Sequence, residues 1–290
     1  MTPQLIGVMG PTASGKTNLA EQIAEHLDAQ LVNADAFQIY CGMDIGTAKP
    51  NRPENYELID IRNPDESFGV GEYVVVAQSV LRRCWERRQS VVVVGGSGLY
   101  VRALFEEYSE MGQAPPPEVR EALNARPLEE LAEELRKLAP ETANVVDLRN
   151  RVRVQRALER IYSPKPSVSV HLPPFDKKKL AIVRNSDETN DRIQRRTKQM
   201  FESGWIEEVR KLFSDGYAIT NPGFRALGYE AIGRAINGEA TFEEALATTI
   251  ADTKRYAKRQ RTWLRSEPNL VILDSEDALR HAAQELNLIF

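Results

Sequence analysis

Residues 10–17 read Gly10-Pro11-Thr12-Ala13-Ser14-Gly15-Lys16-Thr17, and they separate an apolar run, Leu5–Met9, from a helix-forming segment. In the spacing Gly-x4-Gly-Lys-Thr, successive backbone N–H groups curl around an anion, and the helix that follows adds its partial positive charge. The lysine supplies a full charge, and the threonine hydroxyl is a ligand for Mg²⁺. A glycine-rich turn with a chance lysine has the same letters, but the strand before it and the helix after it favour a phosphate loop.

The first hundred residues alternate between strand and helix patterns, as a parallel sheet with crossover helices requires. Beyond the first strand and a helix at 16–27, the patterns predict strands at 30–34, 57–61 and 90–94, a helix at 72–88, and a glycine-rich turn at 95–100 that opens another helix. Ligands bind beyond the carboxyl ends of parallel strands, so we expect the phosphate loop, Asp35 and Ser97 to converge on one crevice. The predicted fold class is α/β, a P-loop NTPase-like parallel sheet flanked by helices.

Two proline-rich segments, Gly112–Pro117 and Ser163–Pro174, bracket a helical block that shows no strand pattern. We interpret residues 112–174 as an inserted all-helical domain, and residues 1–111 and 175–290 as the P-loop core. In the second part of that core the patterns predict strands at 180–184 and 270–273, a long basic helix at 187–214, helices within 221–265 and a short helix at 276–286.

Length and composition exclude several protein classes. A chain of 290 residues can bury a sizeable apolar core without disulfides or structural metals. Cys41 and Cys84 show no metal-ligand spacing, and the histidines are far apart, so we expect neither a zinc site nor a disulfide framework. No segment reaches the ~18 uninterrupted apolar residues of a membrane span. We therefore expect a soluble, cytoplasmic protein with no membrane partner.

Two basic runs occur in a chain whose net charge is −4. Either run alone is typical of a solvated helix face, whereas two such runs in an otherwise acidic chain favour a polyanionic partner. The first run interleaves Tyr256 and Trp263 with Lys254, Arg255, Lys258, Arg259, Arg261 and Arg265. The second run contains Arg149, Arg151, Arg153, Arg156, Arg160 and Lys165.

Asp35 and Ser97 are the candidate catalytic residues beside the phosphate loop. A lone Asp after a strand is typical of a turn or helix cap, but near a bound phosphate its carboxylate can also accept a proton from an attacking group. Ser97 acts either in turn formation or as a hydrogen-bond donor to a leaving-group oxygen. These residues also fit a P-loop kinase that uses ATP, in which Asp35 takes a proton from a substrate hydroxyl.

Six motifs resemble, in the same order, those of the tRNA dimethylallyltransferases, also called the isopentenylpyrophosphate transferase family. They are GPTASGKT (10–17), DAFQIY (35–40), GMDIGTAKP (42–50), GGSGLY (95–100), LGYE (227–230) and TKRYAKRQRTWLR (253–265). The match covers nearly the whole chain, and GMDIGTAKP and YAKRQ-TW are far more specific than a phosphate loop alone. The resemblance implies transfer of a dimethylallyl group from dimethylallyl diphosphate to the N6 amine of the adenosine immediately 3′ of a tRNA anticodon, with release of pyrophosphate.

The same resemblance implies roles for individual residues. Residues 10–17 would bind the diphosphate, with Lys16 stabilising the departing pyrophosphate and Thr17 helping to place Mg²⁺, the one cofactor expected. Asp35 would accept the proton of the adenine amine, and Ser97 stands where the family usually has Thr. Arg192 and Arg196 match a pair of family arginines, of which at least one is expected to reach the pyrophosphate; solvated positions on a basic helix are the alternative.

Recognition of the tRNA anticodon stem-loop is assigned by the resemblance and by charge, because the target adenine has to be extruded from its loop. The residues predicted to contact tRNA are Asp35, Ala36, Phe37, Gln38, Ser97, Arg153, Arg156, Lys254, Arg255, Lys258, Arg259 and Arg261, with Tyr40 also placed near the base. Ala36 departs from the Ser common in the family, and Leu264 from a frequent Phe. We expect the chain to act as a monomer.

Three rival functions remain to be weighed. A kinase explains the phosphate loop and Asp35 but gives the basic runs and the insert no role. An isopentenyltransferase acting on free adenine nucleotides has no need of so large a basic surface. A non-catalytic tRNA-binding protein has no use for a carboxylate at a strand end beside a phosphate loop.

Overall fold

The computed structural model describes residues 2–107, 116–162 and 171–288. Within them the chain forms two compact units, one drawn from Met1–Glu107 and His171–Phe290 and the other from Tyr108–Val170. The predicted boundary at residue 112 and most of the proline-rich segment that starts at Ser163 lie outside the described residues. The predicted limits of the core, 1–111 and 175–290, and of the insert, 112–174, therefore stay a prediction.

A parallel sheet forms the centre of the first unit. Among the described residues its strands are β1 Gln4–Met9, β2 Gln30–Asn33, β3 Tyr56–Glu57, β4 Val91–Gly95, β5 Asp176–Ile182 and β6 Leu270–Leu273. They lie in the order β3-β2-β4-β1-β5-β6, and every adjacent pair is parallel. Parallel neighbours need crossover connections, which the alternating helices supply. The predicted fold class is confirmed.

Helices cover both faces of this sheet and are the regular secondary structure of the described part of the second unit. In the first unit they are α1 Lys16–Leu27, α2 Val70–Glu86, α3 Gly98–Phe105, α8 Ser186–Glu202, α9 Trp205–Ser214, α10 Tyr229–Ile236, α11 Phe242–Leu264 and α12 Ala278–Leu286. In the second unit they are α4 Pro117–Asn124, α5 Leu128–Leu138, α6 Pro140–Val145 and α7 Arg151–Tyr162. The described residues of the insert are thus helical, as the sequence predicts.

The two faces of β1 show how the core is divided. Ile6 and Val8 belong to a buried cluster with apolar residues of α1 and α12. Gly7 points to the other face, where an added Cβ would lie 3.1 Å from the ring of Phe105 on α3. Alternate residues of a strand face opposite sides of the sheet, so this one strand supports both helical layers.

Strand β5 begins earlier than the apolar pattern predicts, because its first residues are charged. Lys179 is only 4% exposed, and its Nζ lies 2.6 Å from Glu106 and 2.7 Å from Glu267. A buried cation is tolerated when it is paired and hydrogen-bonded. Two carboxylates therefore let a lysine occupy a central strand.

Two predicted elements differ in the structure. The strand expected at 57–61 is limited to Tyr56–Glu57, because Leu58 and Asp60 adopt positive φ values of 68° and 54°, which no strand allows. The long helix expected at 187–214 is two helices, α8 and α9. Gly204, at φ 100°, ends the helical conformation between them. Its left-handed conformation is one that glycine adopts readily.

Candidate active site

The phosphate loop connects β1 to α1 at the carboxyl edge of the sheet. Gly15 precedes the helix at φ 96° and Ala13 has φ 62°, so the backbone curls back on itself. The Ser14 N–H donates to the Pro11 carbonyl at 3.2 Å. No side chain caps the N-terminus of α1. The first N–H groups of the helix are therefore open to an anion.

Three charged side chains meet beside this loop. Burial lowers the pKa of Lys16 to about 8; the Asp35 carboxylate opposes this shift, and the Arg196 guanidinium adds to it. Burial also lowers the pKa of Arg196, again with Asp35 opposing. Two cations face one carboxylate, and the excess positive charge is suited to a bound anion.

A cavity of about 300 Å³ contains these groups. Of the residues predicted from the sequence, Thr12, Ala13, Lys16, Thr17, Asp35, Phe37, Gln38, Arg196 and Arg259 line it. Its wall also includes residues to which the sequence analysis gave no role at the site: Ile193, Met200, Trp205, Arg225, Leu227, Thr249, Thr253, Tyr256 and Gln260. The cavity therefore has an apolar part beside a charged part, as a prenyl diphosphate or a nucleobase would require.

Asp35 is held in place by its own turn. Its Oδ1 accepts the Phe37 N–H at 3.0 Å, and its N–H donates to Oδ1 of Asn33 at 2.9 Å. Asn33 is 1% exposed, and its amide also donates to the Leu58 carbonyl at 3.0 Å. The second carboxylate oxygen, Oδ2, lies on the side of Gly96. Asp35 thus caps a turn and also lines the cavity, and its role as a proton acceptor stays a prediction.

Ser97 ties the ends of β2 and β4 together. Its hydroxyl accepts the Ala36 N–H at 3.0 Å, and its N–H donates to the Ala34 carbonyl at 3.2 Å. An added Cβ at Gly95 would lie 2.0 Å from the same Ala34 oxygen, so this approach requires glycine. Ser97 lines a second cavity of about 350 Å³ rather than the first. Its hydroxyl supports the turn that carries Asp35 and retains a hydrogen to donate.

Gln260 connects the phosphate loop to the turn after β4. From α11, its Oε1 accepts the Thr12 N–H at 2.9 Å, and its Nε2 donates to the Gly96 carbonyl at 2.9 Å. Burial raises the pKa of Tyr256, one turn earlier, to about 12; the Asp35 charge adds to this shift, and Arg259 and Gln260 oppose it. Both Gln260 and Tyr256 border both cavities. The sequence signal for them was their place in TKRYAKRQRTWLR.

The segment Gly42–Pro50 forms one wall of the first cavity, and Glu208 on α9 anchors it. The Glu208 carboxylate accepts the N–H groups of Asp44 at 2.8 Å and Ile45 at 2.7 Å. Gly46 packs on the indole of Trp205, where an added Cβ would lie 2.1 Å from Nε1. The specific GMDIGTAKP pattern therefore encodes a wall whose backbone is fixed by a carboxylate.

Two polar side chains, Lys49 within this wall and Gln38 beside it, are engaged in structural contacts. Lys49 is almost fully buried, donates to the Tyr40 carbonyl at 2.8 Å and pairs with Asp44 at 2.6 Å. Gln38 lines the cavity while its amide donates to the Thr47 carbonyl at 3.1 Å. Tyr40 is 3% exposed in the core, so the structure does not bring it to the site as the sequence suggested.

The two predicted arginines on α8 have different positions. Arg196 lines the cavity beside Lys16. Arg192 is directed to the phosphate loop itself, where its Nε donates to the Ala13 carbonyl at 3.0 Å. Of the pair, Arg196 is placed to meet a bound anion, and Arg192 holds the loop.

The basic residues of α11 present their charges to different degrees. Arg255, Lys258 and Arg259 are exposed, while Lys254 and Arg261 are half-buried. Arg255 pairs with Asp252 on the same helix, and the Arg259 guanidinium lies 5.6 Å from the ring centre of Tyr256. Lys258 is thus an exposed cation of α11, whereas Arg259 is exposed and borders both cavities.

In the second unit, α7 carries the other two predicted cations. Arg153 is exposed, and Arg156 pairs with Glu159, whose side chain is only 3% exposed. Arg120 also approaches Glu159, at 3.3 Å. Of these two cations, Arg153 presents an exposed charge that suits a phosphate, and Arg156 also maintains the unit through Glu159.

The described part of the chain lacks two further features, a cluster of metal ligands and a membrane-spanning helix. No group of three or more His, Cys, Asp or Glu residues there could hold a metal ion. No described helix has the length and the apolar character that crossing a membrane requires.

Comparisons with known proteins agree with this geometry. A model of the IPP transferase family matches residues 38–267. A tRNA dimethylallyltransferase of Acaryochloris marina is 35% identical over 287 residues, which cover 96% of this chain and 95% of that protein. One from a Picosynechococcus strain is 36% identical over 299 residues, covering 100% and 99%. The crystal structure of a tRNA isopentenylpyrophosphate transferase from Bacillus halodurans has a TM-score of 0.72 at 33% identity, covering 98% of this chain and 94% of that one.

Proposed function

The chain belongs to the IPP transferase family and is an enzyme that prenylates tRNA; from that premise we propose how its site carries out the reaction. The donor is dimethylallyl diphosphate, and the acceptor is the N6 amine of the adenosine immediately 3′ of the anticodon. One observation carries the proposal. Lys16 of the phosphate loop and Asp35 line the same cavity, so a diphosphate and a nucleophile have adjacent places.

The diphosphate is bound by the phosphate loop. The open N–H groups at the start of α1 and the charges of Lys16 and Arg196 stabilise the two phosphates, and stabilise them further as negative charge develops on the departing pyrophosphate. The apolar wall that includes Ile193, Met200 and Leu227 offers room for the prenyl group.

Magnesium fits this arrangement as an ion held jointly by the protein and the substrate. Thr17 contributes a hydroxyl to the cavity, and hydroxyl and phosphate oxygens are hard ligands of the kind that Mg²⁺ prefers. Mg²⁺ is usually bound through one or two protein ligands together with phosphate oxygens of the substrate. When bound, the ion would neutralise charge on the diphosphate.

Asp35 accepts the proton of the amine. The nitrogen lone pair forms a bond to C1 of the prenyl group, the C1–O bond breaks with its electrons leaving on pyrophosphate, and an N6 proton passes to the Asp35 carboxylate. Ser97 fixes the turn of Asp35 through the Ala36 N–H. Phe37 and Gln38 follow directly in the wall, where the adenine ring would lie.

The tRNA contacts are proposed from charge and exposure. Extruding the adenine costs a few kcal/mol, which contacts to the surrounding loop must offset. Lys258 and Arg259 on α11, and Arg153 on α7, are exposed cations suited to phosphates. We propose in addition that the chain acts in the cytoplasm and that it acts as a monomer. Sedimentation at working concentrations tests the monomeric state.

Transfer of label tests the donor and the acceptor. The protein is incubated with labelled dimethylallyl diphosphate and, in parallel, with unmodified tRNA, the same tRNA carrying guanosine 3′ of the anticodon, or AMP. Label is expected in the first tRNA alone. Label entering AMP would support the free-nucleotide alternative, and ATP hydrolysis or phosphoryl transfer without prenylation would support the kinase.

A further inference from the structure

Two arginines hold successive carbonyl groups of the phosphate loop. Arg184, between β5 and α8, donates from Nε to the Ser14 carbonyl at 2.9 Å. Arg192 donates from Nε to the Ala13 carbonyl at 3.0 Å. Both guanidinium groups flank Glu188, at 2.7 Å for Arg184 and 3.5 Å for Arg192. We name Arg184, Glu188 and Arg192 the arginine clamp.

Peptide geometry gives this contact a consequence inside the loop. In a trans peptide, the C=O of one residue and the N–H of the next point in opposite directions. When Arg184 holds the Ser14 carbonyl outward, the Gly15 N–H is directed to the opposite side, where the start of α1 is open to an anion. Ala13 also has a φ of 62°, a conformation that a residue with a Cβ keeps only when its surroundings impose it.

Glu188 carries a negative charge, which is the wrong sign for a residue that binds an anion. A carboxylate next to a loop that holds a diphosphate weakens binding by charge alone. Glu188 instead orients the Arg184 guanidinium, which is 18% exposed and would otherwise sample other rotamers. Glu188 therefore favours diphosphate binding by orienting Arg184, and this effect opposes the repulsion between its carboxylate and the diphosphate.

We infer that Arg184 is a positioning residue for the diphosphate donor, which it serves by fixing the Gly15 N–H with the help of Glu188. This inference rests on the proposed function in one respect, that the phosphate loop binds the diphosphate. Arg184 lies outside every motif that identified the family from sequence. The clamp thus adds to the phosphate loop a support that comes from Arg184, just before α8, and from the first turns of α8.

Binding of inorganic pyrophosphate in the presence of Mg²⁺, measured by calorimetry on the full chain, tests the inference. Arg184→Gln is expected to weaken binding roughly tenfold, the effect of losing a charge-assisted hydrogen bond. Glu188→Gln is expected to weaken it as well, by a few-fold, although charge alone predicts tighter binding. Arg195→Gln is the matched control, since Arg195 is an exposed arginine of α8, and its pyrophosphate Kd is expected to stay within twofold of wild type.

Two further measurements separate positioning from charge and from misfolding. Arg184→Lys keeps the charge but not the planar donor pair, so it is expected to resemble Arg184→Gln. The KM for tRNA is expected to stay at the wild-type value in every clamp variant while the KM for the donor rises. If Arg184→Gln does not fold, as thermal unfolding would show, Glu188→Gln still decides the question.

The outcomes that overturn the inference are distinct from those that overturn the proposed site. Tighter pyrophosphate binding by Glu188→Gln, or full rescue by Arg184→Lys, would show that Arg184 acts through charge. Pyrophosphate binding by Arg184→Gln equal to that of Arg195→Gln would remove its role altogether. Wild-type protein that prenylates tRNA but binds no pyrophosphate would refute both the inference and the placing of the diphosphate in the loop.

Discussion

Replacement of Gln260 by alanine tests whether α11 joins the two halves of the catalytic site. The side chain of Gln260 accepts the Thr12 N–H and donates to the Gly96 carbonyl, each at 2.9 Å. It is 8% exposed, so water does not readily replace these partners. Losing both bonds at about 1 kcal/mol each removes about 2 kcal/mol of folding free energy.

A loss of the same size is expected in transition-state stabilisation if catalysis requires the phosphate loop and the turn after β4 to keep their relative positions. About 2 kcal/mol corresponds to a fall of roughly 30-fold in kcat/KM. The assay is steady-state prenylation with each substrate varied in turn, together with chemical denaturation. Gln260→Glu is expected to be more severe than the alanine variant, because a carboxylate repels the Gly96 carbonyl and adds negative charge beside the diphosphate site.

Thr262→Ala provides the matched control on the same helix. Thr262 is exposed, and its hydroxyl donates to the Lys258 carbonyl one turn earlier at 3.1 Å. Its kcat/KM is expected to stay within twofold of wild type. If Gln260→Ala and Thr262→Ala gave the same kcat/KM, the bridge between the loops would have no part in catalysis.

Three other predictions concern the wall of the site, its charge and the tRNA surface. Gly46→Ala is expected to lower the unfolding free energy by about 1–3 kcal/mol, because the added Cβ would lie 2.1 Å from Trp205 Nε1; chemical denaturation measures this. Lys258→Gln is expected to reduce the slope of log tRNA affinity against log salt by about 0.9, and Arg255→Gln by less, because Arg255 is already ion-paired within α11. The affinity of the protein for the donor is expected to fall about tenfold from pH 7 to pH 9, because the pKa of Lys16, about 8, leaves this side chain mostly neutral at the higher pH.

Each of these has an internal control. Gly69→Ala should cost less, roughly 0.5–1 kcal/mol, because an added Cβ there would lie no closer than 3.8 Å to a neighbour and only the N-cap preference at the start of α2 is lost. Equal salt slopes for Lys258→Gln and wild type would place the tRNA phosphates elsewhere. Lys16→Arg keeps its charge over the whole range, so its donor affinity should retain only the pH dependence of the ligand; the same profile for wild type would refute the role of Lys16 titration.

The parts of the fold that sequence predicted well have local causes. Strand β4 contains four consecutive valines, the pattern of a strand buried on both faces. Helix α1 follows a loop whose glycines and lysine predict the start of a helix. The parts it missed depend on distant partners. The charged start of β5 is stable only because Glu106 and Glu267 reach Lys179, and neither is near it in sequence.

The same distinction applies to the candidate site. Lys16, Asp35 and Arg196 were found because each belongs to a motif or lies at a strand end, and the structure brings them to one cavity. Gln260 was quoted in a motif but given no role, because its partners are 248 and 164 residues away. Spacing along a chain cannot reveal a hydrogen bond that the topology of the sheet creates.

The central claim, that Asp35 accepts the proton of an amine whose prenyl donor is held by the phosphate loop, is tested most directly by single-turnover prenylation of tRNA. Wild type and Asp35→Asn are compared at saturating dimethylallyl diphosphate and tRNA, with binding of both substrates measured separately. We expect a rate lower by about 10²–10⁴ in Asp35→Asn, with both affinities close to wild type. A single-turnover rate within threefold of wild type would contradict it.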